Sequence, residues 1–189
     1  MKRYISRLRL AVLVVLGMML MNGPAWRTAS ANDLVGAGAT FPFPLYSKMF
    51  DDYSRRHGVR IRYEPIGSGA GIEQITAKKV DFAGSDACMS EKERKEAGAP
   101  ILHIPTCLGA VAITYNLPGN PQLKLTPDLI AGIFLGKIER WNDPGIVALN
   151  GAVRLPDMGI TVIHRSDGSG TTFILSEYLS KANQEWRKR

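Results

Sequence analysis

Apolar runs of strand length end, several times along this chain, in glycine-rich turns that open onto helical patterns. This alternation constrains the fold more than any other feature, because strands joined through crossover helices pair in parallel. Residues 33–36 read as a short strand leading into Gly36-Ala37-Gly38-Ala39-Thr40-Phe41. Leu45, Met49, Phe50 and Tyr53 then recur at helical spacing, with Gly58 as a stop. Val59, Ile61 and Tyr63 alternate with Arg60, Arg62 and Glu64, a strand with one polar face that runs into Gly67-Ser68-Gly69-Ala70-Gly71. Ile72, Ile75 and Ala77 predict a helix after that turn, and residues 80–84 a third strand ending at Ser85-Asp86. Ser90 with Glu93 predicts a capping box. Residues 101–105, 108–115 and 160–164 also read as strands. Thr126-Pro127-Asp128 and Asp143-Pro144 predict helix starts, with Gly136 closing the first of these helices. Leu175, Leu179, Ala182 and Trp186 predict one last helix with a single apolar stripe. The class is α/β with largely parallel pairing.

The N-terminus carries a different message. Lys2, Arg3, Arg7 and Arg9 precede an uncharged run over residues 10–21, and Ala29-Ser30-Ala31 follows. Basic, apolar, then A-x-A is the layout of a secretory leader cleaved after Ala31. The apolar run falls short of the roughly 20 residues a spanning helix needs, and no cysteine at the cleavage point offers a lipid anchor. The whole chain has 24 Lys+Arg against 17 Asp+Glu, a formal charge of +7. Residues 1–31 hold five of those cations and no acid, so the mature chain would carry +2. Nucleic-acid binding through bulk charge is thereby disfavoured. Two cysteines, Cys88 and Cys107, are too few for a disulfide scaffold or a four-thiolate zinc site. Export makes a bond between them chemically possible; two buried thiols are the alternative.

Three turns place glycine beside a hydroxyl residue: Gly38-Ala39-Thr40, Gly67-Ser68-Gly69 and Gly168-Ser169-Gly170-Thr171. Glycine allows backbone to approach a ligand closely, and a helix N-terminus offers N–H groups with partial positive charge. Ser and Thr add donors of their own. Any one such turn is most simply a tight turn with an N-cap. Three of them, with Arg165 just before the last, point to a small oxyanion. No segment reads G-x-x-x-x-G-K-[ST], and neither early turn meets G-x-G-x-x-G, so nucleotide binding is disfavoured. A secreted phosphoester hydrolase using Ser169 or Thr171 would lack both a nearby base and metal ligands in the sequence. His57, His103 and His164 are scattered and read as surface or lining residues.

Taken in order, several motifs resemble the periplasmic phosphate-binding proteins of high-affinity phosphate ABC transporters. They are Gly36-Ala37-Gly38-Ala39-Thr40-Phe41-Pro42, Gly67-Ser68, Val80-Asp81-Phe82 with Ser85-Asp86, Leu135-Gly136-Lys137-Ile138 with Trp141, and Arg165-Ser166-Asp167-Gly168-Ser169-Gly170-Thr171. The likeness runs unbroken from residue 34 to residue 186. It implies a type II-like periplasmic binding protein fold of two lobes with central mixed or parallel sheets. Residues 32–105 would supply the first lobe and residues 106–189 part of the second, which the longer family pattern leaves incomplete here. Exposed apolar surface and low stability are expected in that case.

The resemblance also implies a site. Thr40 and the Phe41 N–H would donate from the first turn, and Ser68 from the second. Asp86 would accept a proton from the ligand. Arg165 would pair with the anion, held by Asp167, and Ser169, Gly170 and Thr171 would donate from the last turn. The family's second turn has serine where this chain has Gly69. Asp86 carries a physical argument of its own: a carboxylate repels an anion unless a proton lies between them. Phosphate carries that proton at neutral pH and sulfate does not, so Asp86 would select by repulsion. The implied protein binds inorganic phosphate in the periplasm and delivers it to a membrane ABC permease. It would be a monomer when complete, without catalysis, cofactor, metal or nucleic-acid partner. A binder of sulfate or molybdate, and a weakly binding or inert fragment, are the alternatives.

Overall fold

Strand β1 (Leu34–Gly38) is the middle of a three-stranded parallel sheet. Strand β2 (Ile61–Glu64) flanks it on one side and β3 (Phe82–Gly84) on the other. This is seen in a computed structural model, which describes residues 33–189; the predicted leader lies outside the described residues. Leu34 pairs with Ile61 and Gly38 with Gly84. Because all three strands run the same way, their carboxyl ends share one edge of the sheet, and the turns that follow them start together. The fold is an open α/β parallel sheet with helices, as expected.

Helix α1 (Phe43–His57) follows β1 and ends where Gly58 turns left-handed at φ 68, its N–H donating to the Ser54 carbonyl at 2.9 Å. Its Tyr46 and Phe50 pack on the sheet, with ring centroids 5.2 Å from Tyr63 and 5.7 Å from Phe82. Helix α2 (Ser68–Thr76) follows β2 and runs against the backbone of β1. A Cβ on Gly71 would stand 2.5 Å from Gly38 Cα and 3.0 Å from the Ala37 oxygen, so no larger residue permits that approach. Helix α3 (Glu91–Glu96) opens on the expected capping box: the Glu93 N–H donates to Ser90 Oγ at 3.3 Å, and the Ser90 N–H to Glu93 Oε2 at 2.7 Å.

Helices α4 (Pro127–Phe134) and α5 (Pro144–Leu149) begin at their expected caps, Thr126 and Asp143. Together with α6 (Gly170–Ala182) they bury Ala131, Ile133, Ile146 and Leu179. The buried Asn150 ties this group to the preceding loop, accepting the Lys124 N–H at 2.8 Å and donating to the Lys124 and Ile146 carbonyls.

Two expectations are corrected. Residues 101–105, 108–115 and 160–164 form no strands. Near the last, only a lone antiparallel bridge joins Arg140 to Gly159. Apolar alternation suits a pleat, but a strand exists only where a neighbour takes up its N–H and C=O groups in a continuous ladder. Here the Ile160 N–H reaches the Glu139 carbonyl at 2.7 Å but no ladder continues from it, and Leu102, Leu108 and Ile163 remain 82 %, 99 % and 87 % exposed. The single C-terminal helix is likewise two. Asn183 leaves the helix at φ −131, and its side chain accepts the Trp186 N–H at 2.8 Å, capping α7 (Gln184–Arg187). The stripe survives the break: Trp186 Nε1 donates to Ser176 Oγ of α6 at 3.1 Å. Cys88 is exposed and Cys107 half-buried, and both are free thiols.

Candidate functional site

The shared edge of the sheet gathers all three glycine–hydroxyl turns. Backbone hydrogen bonds of 2.8 Å lock them: Gly67 N–H to the Gly38 carbonyl, Ala39 N–H to Gly84, and Gly69 N–H to Gly168. The first two bonds follow from strand order, since the turns after β2 and β3 flank the turn after β1. The third joins segments about a hundred residues apart in sequence and brings the N-terminus of α6 beside that of α2. The first N–H groups of a helix have no intrahelical acceptor, so two such ends side by side favour an anion.

Arg165 bridges the last turn and the first. Its Nη1 donates to Thr40 Oγ1 at 2.7 Å, while Nε donates to Asp167 Oδ1 at 2.7 Å and Nη2 to Asp167 Oδ2. This fork-to-fork pair fixes the guanidinium plane. Its hydrogen bonds hold the Asp167 carboxyl below the usual carboxylate range and raise Arg165 further, with a smaller contribution from the charge of Asp86.

Asp86 sits on the other side of the cluster. Its Oδ2 accepts the Thr171 hydroxyl at 3.2 Å, and its N–H donates to Ser68 Oγ at 3.2 Å. Ser68, Ser169 and Gly170 are buried. Gly170 is where the pieces come closest: a Cβ there would lie 2.6 Å from Asp86 Oδ2 and 2.7 Å from Asp86 Cβ, and would strike Ser68 Oγ. Ser169 caps α6, its Oγ accepting the Thr172 N–H at 3.2 Å, which leaves its own proton for another acceptor. Phe41 follows Thr40 in the first turn, its ring exposed and lying against Gly109.

The structure thus brings together Thr40, Phe41, Ser68, Asp86, Arg165, Asp167, Ser169, Gly170 and Thr171. The charged side chains among them are one guanidinium and two carboxylates, so hydroxyl and backbone donors would have to add to Arg165 in holding an anion. The histidines have other partners: the His57 ring packs at a tilt against Tyr53, His103 Nε2 accepts the Met89 N–H at 3.2 Å, and His164 Nδ1 contacts the Arg165 carbonyl at 2.9 Å. Among the described residues, no three His, Cys, Asp or Glu side chains group as metal ligands would.

Sequence reasoning missed two contributors. The Gly69 backbone docks on Gly168, where a Cβ would stand 3.2 Å from Gly168 Cα; the only sequence signal was the departure from serine at that position. The Tyr63 hydroxyl donates to the Ala39 carbonyl at 2.8 Å, although Tyr63 read simply as an apolar strand position.

In an open parallel sheet, turns that converge in this way at the carboxyl ends of the strands are where a ligand binds. A family model described as "PBP superfamily domain" matches residues 23–188, and the chain belongs to that superfamily. It is 46 % identical over 163 residues to the phosphate-binding protein PstS of Pasteurella multocida, covering 85 % of this chain and 47 % of that protein. It is 42 % identical over 160 residues to the phosphate-binding protein PstS of Methanocaldococcus jannaschii, covering 80 % of this chain and 41 % of that one. The chain spans about half the length of the curated relatives it matches. Among solved structures, a phosphate ABC transporter substrate-binding protein of Clostridium perfringens, with phosphate bound, superposes with a TM-score of 0.61. It is 26 % identical, over 78 % of this chain and 56 % of that one. An ABC-type phosphate transport receptor of Vibrio cholerae shares the fold at a TM-score of 0.50 and 20 % identity, over 78 % of this chain and 55 % of that one.

Proposed function

We propose that this chain binds inorganic phosphate in the periplasm and hands it to a membrane ABC permease, exported there by the leader over residues 1–31. Residues 32–105 contribute the first lobe, with Thr40, the Phe41 N–H, Ser68 and Asp86. Residues 106–189 contribute part of the second, with Arg165 held by Asp167 and with Ser169, Gly170 and Thr171 at the start of α6. The reading involves binding and release and no covalent step. Among the described residues no helix is long and apolar enough to cross a membrane. The relatives named as phosphate-binding proteins and the phosphate-bound solved structure support the choice of ligand.

The observation that carries the proposal is the meeting of Asp86 with Arg165 and four hydroxyls around one small volume. Ser and Thr hydroxyls and helix N–H groups donate to the oxyanion's lone pairs. Arg165 matches it with a planar fork already set by Asp167. Asp86 accepts the proton that phosphate retains and faces any fully deprotonated oxyanion with bare negative charge. Charge-assisted hydrogen bonds contribute roughly 1.5–3 kcal/mol each, so losing one is readily measured.

Calorimetric titration of the chain with phosphate and with sulfate tests this. Saturable heat with phosphate and none with sulfate is expected. An Asp86→Asn variant, whose amide has no negative charge, should bind phosphate more weakly and admit sulfate. Equal binding of the two anions by the parent chain would overturn the assignment of Asp86.

A further inference from the structure

We infer that Tyr63 is a positioning residue for phosphate, setting the pitch of the first donor turn through its hydroxyl; this rests on the function proposed above. Tyr63 is the third residue of β2, one place from the strand's end, and its ring lies among Phe43, Tyr46, Phe50 and Phe82. Those contacts need only a ring, and phenylalanine would meet them. The hydroxyl does something else. It crosses beneath the neighbouring strand and donates to the carbonyl of Ala39 at 2.8 Å. Ala39 is 1 % exposed and directly precedes Thr40 and Phe41, the residues that offer a hydroxyl and an N–H to the anion. The peptide unit that joins Ala39 to Thr40 therefore has its oxygen tethered from below, which orients the N–H groups that follow.

The third strand makes room for this tether. Gly84 ends β3, and a Cβ there would run into the Tyr63 hydroxyl and lie 3.1 Å from its Cζ. The Ala39 N–H in turn donates to the Gly84 carbonyl at 2.8 Å. One hydroxyl thus sits between the turn carrying Thr40 and the strand end leading to Asp86, and holds their spacing. Burial foremost, then Tyr46 and Asp86, raise the phenol's pKa well above its ordinary value, so the group keeps the proton it donates at any physiological pH.

The test compares the parent chain with Tyr63→Phe, Gly84→Ala and the double variant. Readouts are the phosphate Kd by calorimetry, the melting temperature, and the Thr40 and Phe41 amide resonances without ligand. Tyr63→Phe keeps the ring and should weaken phosphate binding roughly 3–10-fold, the worth of one hydrogen bond, while moving both amides. Gly84→Ala should displace the hydroxyl from the other side with a similar loss. In the double variant the two losses should fall short of adding, because both act on one tether. A lowered melting temperature with unchanged Kd and unmoved Thr40 and Phe41 amides would overturn the inference and leave Tyr63 a packing residue. If the parent chain itself binds no phosphate, the proposed function fails. The amide resonances still decide the tether, and unmoved amides in both single variants reject it.

Discussion

Replacing Gly170 by alanine adds one methyl group at the tightest point of the site. The new Cβ would stand 2.7 Å from Asp86 Cβ and 2.6 Å from Asp86 Oδ2. Carbon atoms rest about 3.5–4.0 Å apart, so either α6 or the 85–86 turn must give by about 1 Å. Ser68 Oγ, also in the way, can rotate; Asp86 Cβ is fixed to the backbone and cannot. Overpacking of this kind costs about 1–3 kcal/mol, and the better helix propensity of alanine returns at most about 1 kcal/mol. Stability should therefore fall slightly. Binding should fall far more, since the shift separates Asp86 and Ser68 from the donors of α6. Losing two charge-assisted bonds at the low end, about 1.5 kcal/mol each, corresponds to roughly 100-fold in Kd. Calorimetry measures the Kd, and a thermal melt checks that the fold persists. Gly151→Ala is the control, because a Cβ at Gly151 meets nothing within 4 Å. A Gly170→Ala variant binding phosphate within about threefold of the parent would refute the reasoning.

Arg165→Lys substitutes a point charge for a planar fork and cannot keep both Asp167 contacts and the Thr40 bond. The pair is 38 % and 40 % exposed, so stability should change by no more than about 1 kcal/mol. Phosphate affinity measured by calorimetry should nonetheless drop roughly 10–100-fold. The acid response follows from Asp167, whose pKa lies lower in the fold than the unfolded value of about 3.9 because Arg165 hydrogen-bonds its carboxylate. Its stabilising contribution is therefore complete above that unfolded value and disappears as pH falls through the folded one. Asp167→Asn should melt somewhat below the parent at pH 6–7, converge on it as pH falls below about 4, and so show a flatter acid limb; an unchanged acid limb would show that the pair adds nothing.

Local chemistry was legible in the residues themselves. Gly58 ends α1 because only glycine takes a left-handed cap at no cost, and Ser90, Thr126 and Asp143 cap their helices with side chains a few atoms away. The three glycine–hydroxyl turns were visible for the same reason, since turn chemistry is written over four or five consecutive residues. Strands at 101–105, 108–115 and 160–164 were misread because pairing depends on a partner elsewhere in space, which periodicity does not encode. The break at Asn183 was hidden because the apolar stripe continues through it from α6 to Trp186. That the turns would meet was implied in the sequence only by the family resemblance; what physically brings them into one cluster is the tertiary structure. Parallel order around β1 puts three strand ends on one edge, and Arg165 then reaches Thr40 across 125 positions of chain. The same assembly sets the Tyr63 hydroxyl under Ala39 and leaves Gly170 no room for a side chain. Such contacts exist only once distant backbones meet, because hydrogen bonds and steric exclusion act over a few ångströms of space and take no account of separation along the chain.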